Sequence, residues 1–230
     1  YKIFKINLYF IKGKSIMFVR KVKKSHISVT GYFSSYKNKR QINFESKLEH
    51  DFYLLLEFDE QVKSYKEQPF NIYYIYQDKK RRYTPDALVN YIDGTQKVFE
   101  VKPIFKIQND IELQEKIELQ KQKIKEEKNL ELSIFTDANI NKIYMDNIKI
   151  IYNFAFIKEN KEIENKIKNE LLKLNIQIQI KELLDRITNN QFDRLKYIPY
   201  IWNLVFNNPR CVDFTKKITM ASTINPKGLK

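Results

Sequence analysis

Cysteine and histidine are scarce in this 230-residue chain, which contains one cysteine, Cys211, and two histidines, His26 and His50. A single cysteine excludes an internal disulfide framework, and so few cysteines and histidines leave no Cys/His cluster for a zinc ion. Glycine and proline are also rare, with four and six residues, which argues against a disordered chain. No apolar run approaches the length of a membrane span, so we expect no membrane partner and a reducing, cytoplasmic location.

The sequence also lacks a glycine-rich loop for phosphates, a nucleophile elbow and internal repeats. Positive charge is in excess, with a formal net charge of +14 and an isoelectric point near 9.5. This charge favours a polyanionic partner, nucleic acid before an acidic membrane surface. AT-rich coding would produce the same bias toward Lys, Ile and Asn without selection for DNA binding. With 43% hydrophobic and 14% aromatic residues, the chain can bury a core in one or two domains.

Residues 1–40 are predicted to form a basic N-terminal arm. Residues 1–16 differ in pattern from the residues after them, and we expect the functional chain to begin near Met17. Between residues 17 and 40, basic residues are interleaved with Tyr32, Phe33 and Tyr36, which suits an arm that tracks the DNA backbone. A solvated flexible tail explains the same composition equally well.

A change of pattern at Phe44 predicts an amphipathic helix over about residues 43–58. Its apolar residues recur at helical spacing, and they are Phe44, Leu48, Phe52, Leu55 and Leu56. Glu45 and Glu49 lie four residues apart on one flank of this stripe. A carboxylate at the edge of a buried helix face is well placed to reach into a site. One of the two is expected to be an ordinary surface glutamate.

Two strand-like runs are joined by a turn at Asp93-Gly94, a strong hairpin signal between alternating apolar residues. Side chains alternate faces along a strand, so Glu100 and Lys102 share one face, and pairing the runs brings Asp86 close to both. Carboxylate oxygens are ligands for a hard divalent cation, and a lysine beside that cation can orient or deprotonate a water. The pattern therefore predicts a site that cuts phosphodiesters. A solvated strand face with an ion pair is the alternative.

The order of elements predicts a mixed α/β fold for residues 41–153. An antiparallel series of strands is expected over residues 62–65, 70–76, 83–92 and 97–101. Residues 104–109 link this series to a charged helix at about 110–128, and a short buried strand is expected at 130–136. Leu113, Ile117 and Ile124 of the helix are expected to face inward. Strand, helix and strand of this length make a crossover unit, so the Glu100 and Ile134 strands should be parallel.

Residues 154–230 are predicted to form a small winged-helix-like domain. Apolar residues at helical spacing indicate two helices, one with Ile163, Ile167 and Leu171 and one with Ile180, Leu183, Leu184 and Ile187. A third helix is expected over residues 192–206, interrupted at Pro199, and its aromatic residues are expected to pack in a core. Residues 211–214 and 218–222 are expected to form a terminal hairpin, which would be the wing.

Several motifs in a fixed order resemble the TnsA family, the endonuclease subunits of heteromeric transposases. They are Phe44-Glu45-Ser46-Lys47-Leu48-Glu49-His50-Asp51-Phe52, Leu55-Leu56-Glu57-Phe58-Asp59, Glu67-Gln68-Pro69, Thr84-Pro85-Asp86, Glu100-Val101-Lys102-Pro103 and Phe135-Thr136-Asp137. The resemblance covers roughly residues 17–152 and, more loosely, the remainder. It implies the restriction-endonuclease-like fold of the PD-(D/E)xK superfamily, a mixed sheet flanked by helices.

Carried over residue by residue, the resemblance implies a catalytic set of Glu49, Asp86, Glu100 and Lys102. Asp86 and Glu100, with the Val101 carbonyl, would hold Mg²⁺, for which Mn²⁺ is expected to substitute. Glu49 would complete this site or bridge a second ion, and Lys102 would steer the attacking water.

Two further side chains are assigned lesser roles. Glu45 could assist Glu49, although Glu49 occupies the Leu-Glu step of the motif. Gln68 is expected to hold the strand edge near the site and not to take part in catalysis.

The resemblance also implies cleavage at the 5′ ends of a transposon in a bacterial cytoplasm. The implied partners are double-stranded DNA at the transposon ends, a TnsB-like DDE transposase subunit and a TnsC-like AAA+ ATPase regulator. A stand-alone restriction-type or junction-resolving endonuclease would share the active site but carry its own target reader. A non-catalytic DNA-binding assembly subunit would keep the fold and lose a ligand, and the presence of every expected ligand disfavours it.

Overall fold

A computed structural model describes residues 29–229 of the chain. The first part of the predicted basic arm, and the expected start near Met17, lie outside the described residues. The strands are β1 (Gly31–Ser35), β2 (Arg40–Phe44), β3 (Val62–Glu67), β4 (Ile72–Tyr76), β5 (Lys79–Tyr83), β6 (Ala87–Tyr91), β7 (Gln96–Val101), β8 (Leu132–Phe135), β9 (Ile178–Gln179) and β10 (Thr223–Ile224). The helices are α1 (Lys47–Phe58), α2 (Ile104–Asn109), α3 (Ile111–Lys128), α4 (Lys142–Tyr152), α5 (Lys161–Leu174), α6 (Ile180–Ile187) and α7 (Gln191–Asn207). Within residues 29–229 no helix combines the length and apolar character that a membrane crossing requires.

The centre of the fold is a four-stranded mixed sheet in the order β3-β6-β7-β8. β6 is antiparallel to both β3 and β7, whereas β7 and β8 are parallel. Glu100 pairs with Ile134, so the crossover predicted from the strand-helix-strand order is confirmed. The fold is mixed α/β, with helices on both faces of the sheet.

The hairpin predicted around Asp93-Gly94 is also confirmed. β6 and β7 pair from Ala87 opposite Phe99 to Asn90 opposite Gln96. Gly94 has a φ of 86°, a left-handed conformation that glycine adopts at little cost.

The strand predicted at residues 83–92 is wrong as a single element, since β5 ends at Tyr83 and β6 begins at Ala87. Pro85 lies between them, and proline has no N–H to donate to a strand ladder. β4 and β5 form a separate two-stranded ribbon, and β3 pairs with β6 across this insertion. The consecutive antiparallel series is therefore also wrong.

Helix α1 begins later than the predicted residue 43 because β2 extends through Phe44 and pairs with β1. Ser46 caps the helix by accepting a hydrogen bond from the Glu49 N–H. The short helix α2 replaces the predicted link at 104–109, and α3 matches the predicted charged helix. In α3, Ile117 and Ile124 are buried as expected.

The buried side chains form three clusters. One fills the space between α1 and the central sheet, and includes Phe52, Tyr53 and Leu56. A smaller cluster on the other face of the sheet includes Ile124 of α3. The largest joins α1 and α4 to α5, α6 and α7, and Leu54 and Phe58 of α1 belong to it. Helix α1 is therefore shared by two cores.

The three predicted C-terminal helices are present as α5, α6 and α7, and α7 continues through Pro199. The hairpin predicted over 211–222 is wrong. The backbone of this segment is hydrogen-bonded to the Asn147 side chain of α4 and not to a second strand. Asn147 donates to the carbonyls of Phe214 and Lys216 and accepts from the Ile218 N–H. Only a two-residue ladder, β9 with β10, closes this region within the described chain. The boundaries at residues 40/41 and 153/154 stay predictions.

Candidate active site

Asp86 is fixed through both its backbone and its side chain where β6 begins. Its carbonyl accepts hydrogen bonds from the Gln68 N–H at 3.1 Å and from the Tyr53 hydroxyl at 2.9 Å. Its Oδ2 accepts from the Val101 N–H at 2.7 Å. The carboxylate of Asp86 is thereby tied to strand β7, which also positions the next two candidate residues.

Glu100 and Lys102 lie on the same face of β7 and its extension, as strand alternation predicts. Glu100 is 6% exposed, and its Oε1 lies 2.6 Å from Nζ of Lys102. Its other oxygen, Oε2, accepts a hydrogen bond of 2.6 Å from the Tyr83 hydroxyl. Nζ of Lys102 lies 3.4 Å from Oδ2 of Asp86. The structure therefore brings Asp86, Glu100 and Lys102 together around one ammonium group.

The electrostatics of this group result from its burial. Burial raises the pKa of Glu100 and the charge of Asp86 raises it further, while Lys102 and Tyr83 offset only part of the shift. Burial alone would lower the pKa of Lys102, but Glu100 and Asp86 outweigh it and raise that pKa. Lys102 is consequently an ammonium at neutral pH. An ammonium has no lone pair, so it orients groups and balances negative charge in this arrangement and does not accept a proton.

Glu49 lies at the first turn of α1 and takes part in the helix cap. Its Oε2 accepts from the Glu45 N–H at 2.8 Å, and its Oε1 accepts from the Ser46 hydroxyl at 2.9 Å. Burial raises the pKa of Glu49, the Glu45 N–H lowers it and the nearby charge of Asp86 raises it, with a raised pKa as the result. Glu49 therefore lies close enough to Asp86 to sense its charge, but both of its oxygens accept hydrogen bonds at the N-terminus of α1.

Asp86 and Glu100 fit a hard divalent cation by their chemistry. Both offer carboxylate oxygens, and their repulsion, visible in the raised pKa of Glu100, is a cost that a cation between them removes. In the described part of the chain, however, no three His, Cys, Asp or Glu side chains are grouped so as to hold a metal ion. Among the described residues, a third carboxylate is therefore not in place beside Asp86 and Glu100.

Three residues around the site make hydrogen bonds whose partners the sequence patterns do not predict. Tyr83 holds Glu100 and Tyr53 holds the Asp86 backbone, and no motif indicated either tyrosine. Gln68 has a left-handed φ of 43°, binds the Asp86 carbonyl through its N–H and donates its side-chain amide to Glu45 at 3.0 Å. The structural role expected for Gln68 is confirmed. The Tyr83 contact depends on how the inserted ribbon leaves the sheet, and the Tyr53 contact depends on how α1 packs on the sheet.

Residues 59–137 match the family model described as TnsA-like endonuclease N terminal. The matched range is about a third of the 230-residue chain and contains Asp86, Glu100, Val101 and Lys102. Glu49 lies outside it. No curated protein matches the chain. The match supports a TnsA-like nuclease, in agreement with the sequence motifs.

Proposed function

We propose that this chain is a metal-dependent DNA endonuclease that serves as the cutting subunit of a heteromeric transposase. The observation that carries the proposal is that Asp86 and Glu100, both inside the matched range, lie within 3.4 Å of the Lys102 ammonium. A buried carboxylate beside a partly buried carboxylate and ammonium is not what stability alone favours, because apolar residues of similar volume often stabilise a fold as well or better. The net charge of +14 favours DNA as the substrate.

Each side chain has a distinct role in this proposal. Asp86 and Glu100 would hold the metal ion with the Val101 carbonyl, and Glu49 would join them after leaving its cap. When bound, Mg²⁺ or Mn²⁺ supplies Lewis acidity to the phosphate and lowers the pKa of a ligated water. Lys102 keeps its charge and positions the attacking water and the phosphate. Tyr83 holds the Glu100 carboxylate in one orientation.

The cut would be made at the 5′ ends of a transposon, in a bacterial cytoplasm. A DDE transposase subunit would cut and join the 3′ ends, and an AAA+ ATPase would regulate the complex. A basic surface gives affinity for any duplex but no choice among sequences, so the partner would find the ends. The helices after residue 153, for which the sequence predicts a winged-helix-like domain, would bind these partners.

One observation favours a second candidate, a non-catalytic DNA-binding assembly subunit. Glu49 is committed to capping α1, and the Lys102 ammonium already neutralises Glu100. Such a subunit would use the same carboxylates only to hold its fold.

The two candidates differ in a cleavage assay on end-labelled transposon-end duplex with the full-length chain, Mg²⁺ or Mn²⁺, and the cognate transposase and ATPase. We expect 5′-end cuts that require the partners and disappear with Asp86→Asn. Complex formation without any 5′ cut by the wild-type chain would establish the assembly subunit instead. Cutting of one defined sequence on both strands by the chain alone would establish a restriction-type enzyme.

A further inference from the structure

The ribbon of β4 and β5 projects from the chain between two strands of the central sheet. β4 and β5 pair along their whole length, from Ile72 opposite Tyr83 to Tyr76 opposite Lys79. One face packs on α3, where the Tyr76 hydroxyl donates to Glu115 at 2.9 Å and the Tyr74 hydroxyl accepts from Gln120 at 3.2 Å. These contacts fix the ribbon on the body of the protein.

The opposite face of the ribbon is open and apolar at its centre. Tyr73 is 49% exposed and Ile75 is 61% exposed. Their cross-strand partners on the same face are Arg82 and Lys80, and Nζ of Lys80 lies 4.7 Å from the centre of the Tyr73 ring. The open face thus carries two large apolar side chains beside two cations.

Strand β5 itself contains four consecutive cations, Lys79, Lys80, Arg81 and Arg82, all of them exposed. None of the four has an ion pair with any residue in 29–229. On the neighbouring helix α3, three of the five lysines are paired with a glutamate, namely Lys116, Lys121 and Lys123. Asp78 in the ribbon turn offsets only part of the charge on β5. The ribbon therefore presents an uncompensated positive edge.

The same strand leads directly into the candidate active site. Tyr83, the last residue of β5, donates its hydroxyl to Glu100. Asp86 lies four residues after Arg82, a chain length that spans at most about 14 Å. A phosphate held by Arg82 would consequently lie within a few nucleotides of a phosphate held at Asp86.

We propose that the β4–β5 ribbon is the surface through which this chain docks on duplex DNA. The inference rests on the proposed nuclease function and identifies the surface that positions the duplex for the cut. The cations of β5 contact phosphates, and the open face with Tyr73 and Ile75 enters the major groove, which is wide enough for a two-stranded ribbon. Phosphate contacts of this kind set the register of the duplex and carry no sequence information.

The first test measures binding of the full-length chain to labelled duplex by fluorescence anisotropy, in EDTA so that no cutting interferes. Lys80→Ala with Arg82→Ala removes one lysine and one arginine from the ribbon. Lys168→Ala with Arg186→Ala is the matched control, because it removes the same charges from exposed positions on α5 and α6. Loss of two phosphate contacts should make the slope of log K for DNA binding against log salt concentration shallower by about 1.8. The control should keep the wild-type slope, and equal slopes for the two double variants would overturn the proposal.

The second test locates the ribbon on the DNA. Cys211 is 1% exposed and burial raises its pKa to about 12, so a cysteine introduced at Ile75 can be labelled selectively with an iron–EDTA chelate. Strand scission is expected in one major groove beside the cut site, and a chelate on Lys168→Cys should give none there. Scission from position 168 and not from 75 would overturn the proposal, as would capture of a partner protein by the ribbon without any scission. Both tests read binding and not cutting. A negative result in both with cleavage retained would show a nuclease that docks elsewhere, whereas loss of the proposed nuclease function would appear in the cleavage assay.

Discussion

The ammonium group of Lys102 lies 2.6 Å from Oε1 of Glu100, two residues earlier on the same strand. This contact places a fixed positive charge where the proposed metal ion would also bind. Lys102→Ala should retain Mn²⁺ binding, because both carboxylates remain, but cleavage should fall by about 10²- to 10³-fold, as expected for the loss of one preorganised group that stabilises transition-state charge. Isothermal titration and single-turnover cleavage measure the two effects. Lys106→Ala on α2 serves as control, and undiminished cleavage by Lys102→Ala would reduce the lysine to a structural ion pair.

Asp86→Asn should keep the fold and lose the metal. The amide oxygen can still accept from the Val101 N–H, whereas the negative charge that attracts a hard cation is gone. We expect Mn²⁺ affinity to fall by at least about tenfold, since even indirect contacts to a metal site are worth that much. The exposed Glu118→Gln on α3 is the matched removal of a carboxylate. An Asp86→Asn protein with wild-type affinity would show that the metal site lies elsewhere.

Glu49 can be tested for its two roles separately. Glu49→Gln keeps an oxygen that can accept from the Glu45 N–H, so thermal stability should change little, but the ligand charge is lost and cleavage should fall. Ser46→Ala should instead cost about 1 kcal/mol of unfolding free energy through loss of the cap. Chemical denaturation and cleavage assays on both variants give the comparison. Full cleavage activity of Glu49→Gln would show that Glu49 is not a metal ligand and only stabilises the N-terminus of α1.

The ion pair between Asp51 of α1 and Lys149 of α4 predicts a pH-dependent stability. Nζ of Lys149 lies 2.5 Å from Oδ1 of Asp51, which is 8% exposed. Burial would raise the pKa of Asp51, but the neighbouring His50 and Lys149 side chains outweigh it and hold the pKa below its usual value. The Asp51 carboxylate therefore contributes to the free energy of unfolding at pH values above its unfolded pKa of about 3.9. This contribution is lost as the pH falls through the lower folded pKa.

Lys149→Met should cost about 1–2 kcal/mol at pH 7, less than for a fully buried pair because the lysine is partly exposed. The loss should shrink as the pH falls below about 4 toward the lower folded pKa, at which Asp51 of the folded chain becomes protonated. Urea denaturation at several pH values checks this. Lys142→Met breaks the exposed pair with Asp146 and should cost at most about 0.5 kcal/mol. An equal cost for the two variants would contradict the prediction.

The elements predicted correctly from the sequence are those with local signals. Asp93-Gly94 fixes its hairpin through the turn, and the charged helix between two apolar runs fixes the parallel crossover. A signal for the cap is also present, because Ser46 and Glu49 have capping-box spacing, yet the family resemblance assigns the same glutamate to metal binding. A local pattern does not decide between two uses of one carboxylate.

The errors arise from contacts between distant residues. The apolar residues at 211–222 resemble strands, but Asn147, about seventy residues earlier, binds their backbone groups. The bond between Tyr83 and Glu100 depends on how an inserted ribbon leaves the sheet. Neither contact leaves a pattern in neighbouring residues.

Helix α1 belongs to two cores, with Leu54 and Phe58 among the C-terminal helices and Phe52 and Leu56 beneath the sheet. Glu49 sits at the first turn of that helix. A protein that binds α5, α6 or α7 and shifts them would therefore also shift α1. The first turn of α1 carries Glu49, the proposed metal ligand. If the proposed function holds, partner binding to these helices would change the position of Glu49, and cutting would depend on assembly.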